Sequence, residues 1–395
     1  MRHAVRQSER GFTLIELMVA TAIGLIVIGG VFGVMITQQH TYRTQMELAE
    51  ASQNARAALD IVRQSLRDAG WGFVSKETAE GLPPVGSCYA ANIGDQSACN
   101  DVVASNAGTS TLVSDKVRFA GIEPGKTFSR DTAWGATATR VVVNTPREAL
   151  VVNELAILSG QCSGGGANGK VYTGVVKITG VSGTPPTAVT YDFDANPSNN
   201  PYPAFDCSSM LSGFAFGRSK IVEFHLDRGL TNPDSSSGAT TIPRLMMLIN
   251  RGGQDPATLA APVEQAVAYD IEGFHVRYGL DCGHVASGST CAAATSGGPD
   301  DVLDLVATGQ NWCNDLTSAN CNTGKSAIEN QMRVMAVQVA VIPRTRGQVR
   351  RNARGATQFG SAIALWGSTL PADAYRHWIY RATVALRNNQ LPITN

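Results

Sequence analysis

Residues 12–36 form a 25-residue apolar run whose one charge is Glu16. At about 1.5 Å of rise per residue, a helix of this length is roughly 37 Å long and crosses the hydrocarbon core of a bilayer. A carboxylate in such a segment costs on the order of 2.5 to 3.5 kcal/mol at the helix centre and less near its end, so it normally has a partner.

The flanks orient the segment. Arg2, Arg6 and Arg10 precede it with only Glu9 against them, whereas Thr37 to Tyr42 carry no Lys or Arg. The positive-inside rule therefore leaves the N-terminus in the cytoplasm and the bulk of the chain outside. An ordinary secretory signal has a shorter apolar core that ends in an Ala-x-Ala-like site. Here the small residue, Gly11, comes before the apolar segment, so cleavage after it spares the helix.

Gly11-Phe12-Thr13-Leu14-Ile15-Glu16 resembles the class III signal of type IV pilins and type II secretion pseudopilins. The resemblance implies that a membrane-embedded prepilin peptidase cuts between Gly11 and Phe12 and that Phe12 is N-methylated. Glu16 then becomes the fifth residue of the mature chain, one helical turn from the Phe12 amine. In that family this carboxylate neutralises the terminal amine of an adjacent subunit, which would supply the expected partner.

The helix is expected to continue beyond the membrane as a stalk. No Gly or Pro occurs between Tyr42 and Ala69, and Leu48, Ala51, Ala55, Leu59, Val62, Leu66 and Ala69 recur at spacings of three and four. Gly70-Trp71-Gly72 supplies the stop. The organisation expected is a cleaved leader over 1–11, a transmembrane half over 12–36, an amphipathic stalk over 37–70, and a periplasmic or extracellular head over 71–395. Gly29 and Gly33 form a small-xxx-small pair suited to close helix approach. The helix-breaking Pro of many major pilins is missing here, so any local melting on assembly falls to glycine.

Beyond residue 70, short Val- and Ile-rich runs alternate with segments dense in Gly, Ser, Asn and Pro. They include 116–120, 140–144, 154–158, 171–178, 220–226, 244–249, 273–278, 333–342 and 380–386. The fold class expected is α+β, a pilin-like long helix packed on a large, mainly antiparallel sheet, with room for two β subdomains. Lys plus Arg equals Asp plus Glu at 32 each, so there is no basic field of the kind nucleic-acid binding requires.

All eight cysteines, Cys88, Cys99, Cys162, Cys207, Cys282, Cys291, Cys313 and Cys321, lie beyond the membrane segment. Their even number and oxidising side argue for disulfides. Clustering favours sequential pairs, Cys88 with Cys99, Cys162 with Cys207, Cys282 with Cys291, and Cys313 with Cys321. No Cys-x-x-Cys occurs and only His284 lies close to a cysteine, so zinc is not expected. Asp300, Asp301 and Asp304 offer oxygen ligands for calcium but read first as a solvated turn.

Catalytic signals fail on inspection. Gly164 to Lys170 has the spacing of a phosphate loop, yet Val171 stands where Ser or Thr is needed and a strand-like run follows. No G-x-S-x-G occurs, and His3, His40, His225, His275, His284 and His377 are dispersed. Neither an enzyme nor a cofactor is expected.

The segments 262–267, 273–281, 333–344, 375–377 and 383–388 resemble the C-terminal domain of PilW-type minor pilins, which are related to the J-type minor pseudopilins of type II secretion. The resemblance implies a low-copy minor pilin that primes pilus assembly at or near the tip; residues 75–215 resemble nothing named. The partners implied are the prepilin peptidase, other minor pilins, the major pilin and the inner-membrane assembly platform. The location implied is a single inner-membrane span before assembly and the cell-surface pilus after it. A type II pseudopilin shares every N-terminal feature, and a tip adhesin is a compatible further role suggested by the large stapled loops.

Overall fold

A computed structural model describes residues 12–73, 80–81, 85–86, 100–104, 111–115, 117–129, 140–143, 149–166, 168–185, 187–194, 207, 209–211, 214–231, 241–250, 263–282, 290–291, 312–313, 333–345, 363–365, 368–370 and 377–386. The chain divides into two compact units, Met1–Ala51 and Ser52–Asn395. One helix, α1 (Leu14–Arg67), runs through both. In the first unit it carries the apolar segment, which has a mean hydropathy of 2.5 and is long and apolar enough to cross a membrane.

The strands are β1 (Glu80–Gly81), β2 (Val85–Gly86), β3 (Asn100–Ala104), β4 (Thr111–Asp115), β5 (Val117–Ser129) and β6 (Arg140–Val143). They continue with β7 (Leu155–Gln161), β8 (Val171–Ser182), β9 (Val189–Asp194), β10 (Ala215–Thr231), β11 (Thr241–Asn250) and β12 (Val263–Tyr269). The last are β13 (Ile271–Leu280), β14 (Val334–Pro343), β15 (Ile363–Leu365), β16 (Ser368–Leu370) and β17 (Tyr380–Ala385). Together with α1 they make an α+β, pilin-like architecture.

The head is not built on one sheet. A 10-stranded sheet runs β12-β11-β10-β7-β8-β9-β6, with β5 also on β10, β2 on β5 and β1 on β8; a 3-stranded sheet runs β13-β14-β17. β10 is the spine, bonded to β5 over most of its length, to β7 at its start and to β11 further on. The sheets meet at a corner of one residue, Asp270, between β12 and β13. It holds φ at 60°, in the left-handed region that Asp tolerates better than most residues. Its carbonyl accepts the Arg344 N–H at 2.9 Å.

Both sheets close on the same helical stripe. Ala55, Ala58, Leu59, Val62, Leu66 and Ala69 share a core with Phe119 of β5, Phe224 of β10, Phe274 and Val276 of β13, Val339 of β14 and Val384 of β17. Each fully buried Leu or Val contributes about 1.5 to 3 kcal/mol. A second core lies between β6, β7, β8, β9 and β10, around Val141, Leu158, Val176, Tyr191 and Phe216, and contains no helical residue. Cys162 and Cys207 belong to it.

The end of α1 is fixed to β5. Gly70 takes φ of 74°, its N–H donates to Ala120 O at 2.8 Å, and Ile122 N–H donates to Trp71 O at 2.9 Å. Lys220 pairs with Asp68 at 3.0 Å beside this junction. The close approach requires Gly121, because a Cβ there would stand 2.8 Å from the Asp68 carbonyl oxygen. Gly121→Val should therefore destabilise the protein by about 2 kcal/mol through forced separation of helix end and strand, read from denaturant unfolding in detergent.

His275, 4% exposed on β13, has its pKa pushed down by burial from 6.5 to about 4. The folded state keeps the imidazole neutral where the unfolded chain would protonate it. Stability from this group is thus full above about pH 6.5 and falls as pH drops toward 4, by about 3 kcal/mol in all. Unfolding measured from pH 7 to pH 4 should lose part of its acid slope in His275→Gln.

Candidate functional site

The candidate site is the start of α1. Phe12 and Thr13 precede the helix, and Phe12 is 88% exposed. Thr13 N–H and Thr13 Oγ1 both donate to Glu16 Oε2, at 2.9 and 3.0 Å, while Glu16 N–H donates back to Thr13 Oγ1 at 3.3 Å. This reciprocal arrangement is a capping box. It satisfies two donors that a helix N-terminus otherwise leaves orphaned, and it sets a negative charge at the positive end of the helix dipole. Leu17 N–H completes the first turn on Thr13 O at 3.2 Å.

The carboxylate thus has partners within its own chain, which lowers the cost of carrying it into an apolar segment. Among the described residues only Oε2 is engaged and Oε1 accepts no bond, so that second oxygen remains for an external donor. The sequence pointed to Glu16 but not to Thr13, although Thr-x-x-Glu before an apolar run is the written signature of this cap. Gly11, on the other side of the bond to Phe12, lies outside the described residues, as do Arg2, Arg6 and Arg10.

Further along α1, a Cβ added at Gly29 or Gly33 would meet nothing within 4 Å. Gly30, Gly33, Thr37 and Thr41 line one groove; Gly29 does not. The hydroxyls of Thr37 and Thr41 are turned onto their own helix, donating to Gly33 O at 2.9 Å and Thr37 O at 3.0 Å. The face therefore presents glycine surface and threonine methyls.

The cysteines divide similarly. Cys162 is joined to Cys207 and Cys282 to Cys291, and Cys313 is also disulfide-bonded. Cys88, Cys99 and Cys321 lie outside the described residues, and so do Asp300, Asp301 and Asp304. Among the described residues no group of three or more His, Cys, Asp and Glu side chains is placed to hold a metal ion.

Two histidines that looked isolated in sequence sit in ionic clusters. His225 lies 2.9 Å from Glu264 and 3.5 Å from Glu223, which also pairs with Arg118. His377 and Arg344 each lie 3.3 Å from Glu272, beside the Asp270 corner. Glu223 lies two residues from His225 on β10, but Glu264, Arg118 and Glu272 come from segments far apart in sequence, so spacing gave no sign of the full clusters. Both tie strands to one another.

Residues 6–32 match the family described as Prokaryotic N-terminal methylation motif. The chain matches no curated protein and no solved structure. The match spans residues 6–11 of the leader, the Gly11-Phe12 junction, the capping box and both Gly29 and Gly30. It implies processing by a prepilin peptidase. The chain therefore carries, at the head of a long apolar helix, the prepilin-type signal of type IV pilin-like proteins.

Proposed function

We propose that this protein is a minor pilin of a type IV pilus, a low-copy subunit that primes assembly at or near the tip. The observation that carries the reading is the methylation motif over residues 6–32, laid across the start of a single membrane-length helix. The precursor inserts as a single span, the peptidase cuts between Gly11 and Phe12, and Phe12 is methylated. Subunits then associate through their apolar helices. Glu16 Oε2 keeps its own helix capped, while Oε1 receives the terminal amine of a neighbour. In a low-dielectric setting such a charge-assisted bond is stronger than in water and replaces the solvation both groups have lost.

Low copy number follows from bulk. The described head holds a 10-stranded and a 3-stranded sheet, two hairpins and two complete disulfides, and a head of that size would crowd itself if repeated at every position of a thin bundle. One copy at an end meets no such limit. The groove over Gly30, Gly33, Thr37 and Thr41 is the helix face on which a neighbouring helix packs most closely.

Two measurements test this reading. Mass spectrometry of sheared surface fibres should find the chain beginning at N-methylated Phe12 and far below the major subunit in amount; its absence from fibres would overturn the reading. Glu16→Ala should insert and be cleaved normally yet be depleted from fibres, and normal incorporation would overturn the pairing role. Loss of exoprotein secretion with intact pili in a deletion strain would move the assignment to a type II minor pseudopilin.

A further inference from the structure

We infer that residues 140–218 are a self-contained folding unit within the head, one that keeps its shape when the core around α1 opens. The two cores differ in how the chain supplies them. Among the described residues, every member of the second core lies between Val141 and Phe216, whereas the helix-facing core draws on residues from Ala55 to Leu386. The two have no residue in common. A core supplied by one contiguous stretch closes at a lower loop-entropy cost, and a core that joins both ends of a long chain opens when either end leaves.

The backbone follows the same division. β7, β8 and β9 are successive strands that pair in order, and β6 closes the row on β9. The link from β6 to β7 is tied to that row: Leu150 N–H donates to Tyr191 Oη at 3.2 Å and Asn153 N–H to Ile178 O at 2.8 Å. The disulfide between Cys162 and Cys207 joins the end of β7 to the segment before β10, and Ser163 N–H donates to Ser209 O at 2.9 Å beside it. Both of these cysteines belong to the second core, whereas the bonded pair Cys282 and Cys291 belongs to the helix-facing core. Each core thus has its own staple.

The seam between the units is β10. Its first residues, 215–218, pair with β7 and carry Phe216 into the second core, while Val222, Phe224 and Leu226 further on enter the helix-facing core. On the other face of the large sheet, Ile122 of β5 packs with Ile157, Val175 and Ile221, in a small cluster that includes no residue of α1. That cluster holds the unit to β5 without calling on the helix. A stretch of this length with an internal disulfide is within the range that folds alone. The head therefore loosens its hold on α1 without losing this lobe.

Hydrogen exchange on the full chain in detergent tests the inference, read by mass spectrometry on peptides from β7 and β8 and from β13 and β14. Leu66→Ala, which touches the helix-facing core alone, should speed exchange in β13 and β14 by about thirtyfold or more and leave β7 and β8 within about twofold of wild type. Val176→Ala, in the second core alone, should speed β7 and β8 instead. The wild-type chain supplies a measurement that survives a failure of either variant to fold: with reductant present, rising denaturant should free Cys282 and Cys291 for alkylation at a lower concentration than Cys162 and Cys207. A parallel rise in all four strands in either folded variant, or release of both disulfides together or of Cys162 and Cys207 first, would overturn the independent unit. None of these results bears on the assembly reading above.

Discussion

Burial of one stripe of α1, from Ala55 to Ala69, is the contact on which the joining of the two sheets depends. The 3-stranded sheet and the β5, β10 and β11 part of the larger sheet share their core with this stripe, whereas β6, β7, β8, β9 and the start of β10 bury a core without it. The long strands β5, β10 and β11 turn Phe119, Phe224 and Leu245 onto the stripe, and the smaller sheet turns Phe274, Val339 and Val384 onto it. Apolar area removed from water is worth roughly 25 cal/mol per Å², and here one set of helical side chains serves two sheets at once. The corner at Asp270 and the junction at Gly121 are what that shared core demands of the backbone: a turn within one residue, and a strand that lets a helix end come against it.

Glu16 shows how the cost of a carboxylate in an apolar segment is lowered within the chain. In the single chain its cost is offset locally, by two donors from Thr13 and by the positive end of the helix dipole. Among the described residues the arrangement is asymmetric, with Oε2 engaged and Oε1 accepting no bond. A carboxylate with no partner at all would oppose membrane insertion.

Much of this was legible in the amino-acid order, and the reasons differ by region. The helical stripe from Ala55 to Ala69 was readable because period and apolarity coincide over several turns, and the core strands β7, β8, β10, β11, β13 and β14 because Val and Ile cluster between turn residues. The division into two sheets was not. Segments 262–267 and 273–281 resemble parts of one domain, yet β12 and β13 fall in different sheets, since a single left-handed Asp leaves no Gly or Pro at the corner itself. The pairing of β10 with both β5 and β7 depends on long-range register, which no local pattern encodes. At the site, Glu16 stood out as a lone charge, whereas Thr13 was hidden by its ordinary polarity.

The hydrogen bond between Ser52 and Tyr380 joins residues 328 positions apart, between the first helical turns of the head and its last strand. At synthesis rates of about 5 to 20 residues per second, the apolar stripe of α1 waits on the order of half a minute before its final covering strand exists. During that interval the stripe is exposed apolar surface with no strand to cover it. Such a chain folds late and with high contact order, so its yield is governed by what shields the helical stripe before β17 is made more than by how stable the finished head becomes.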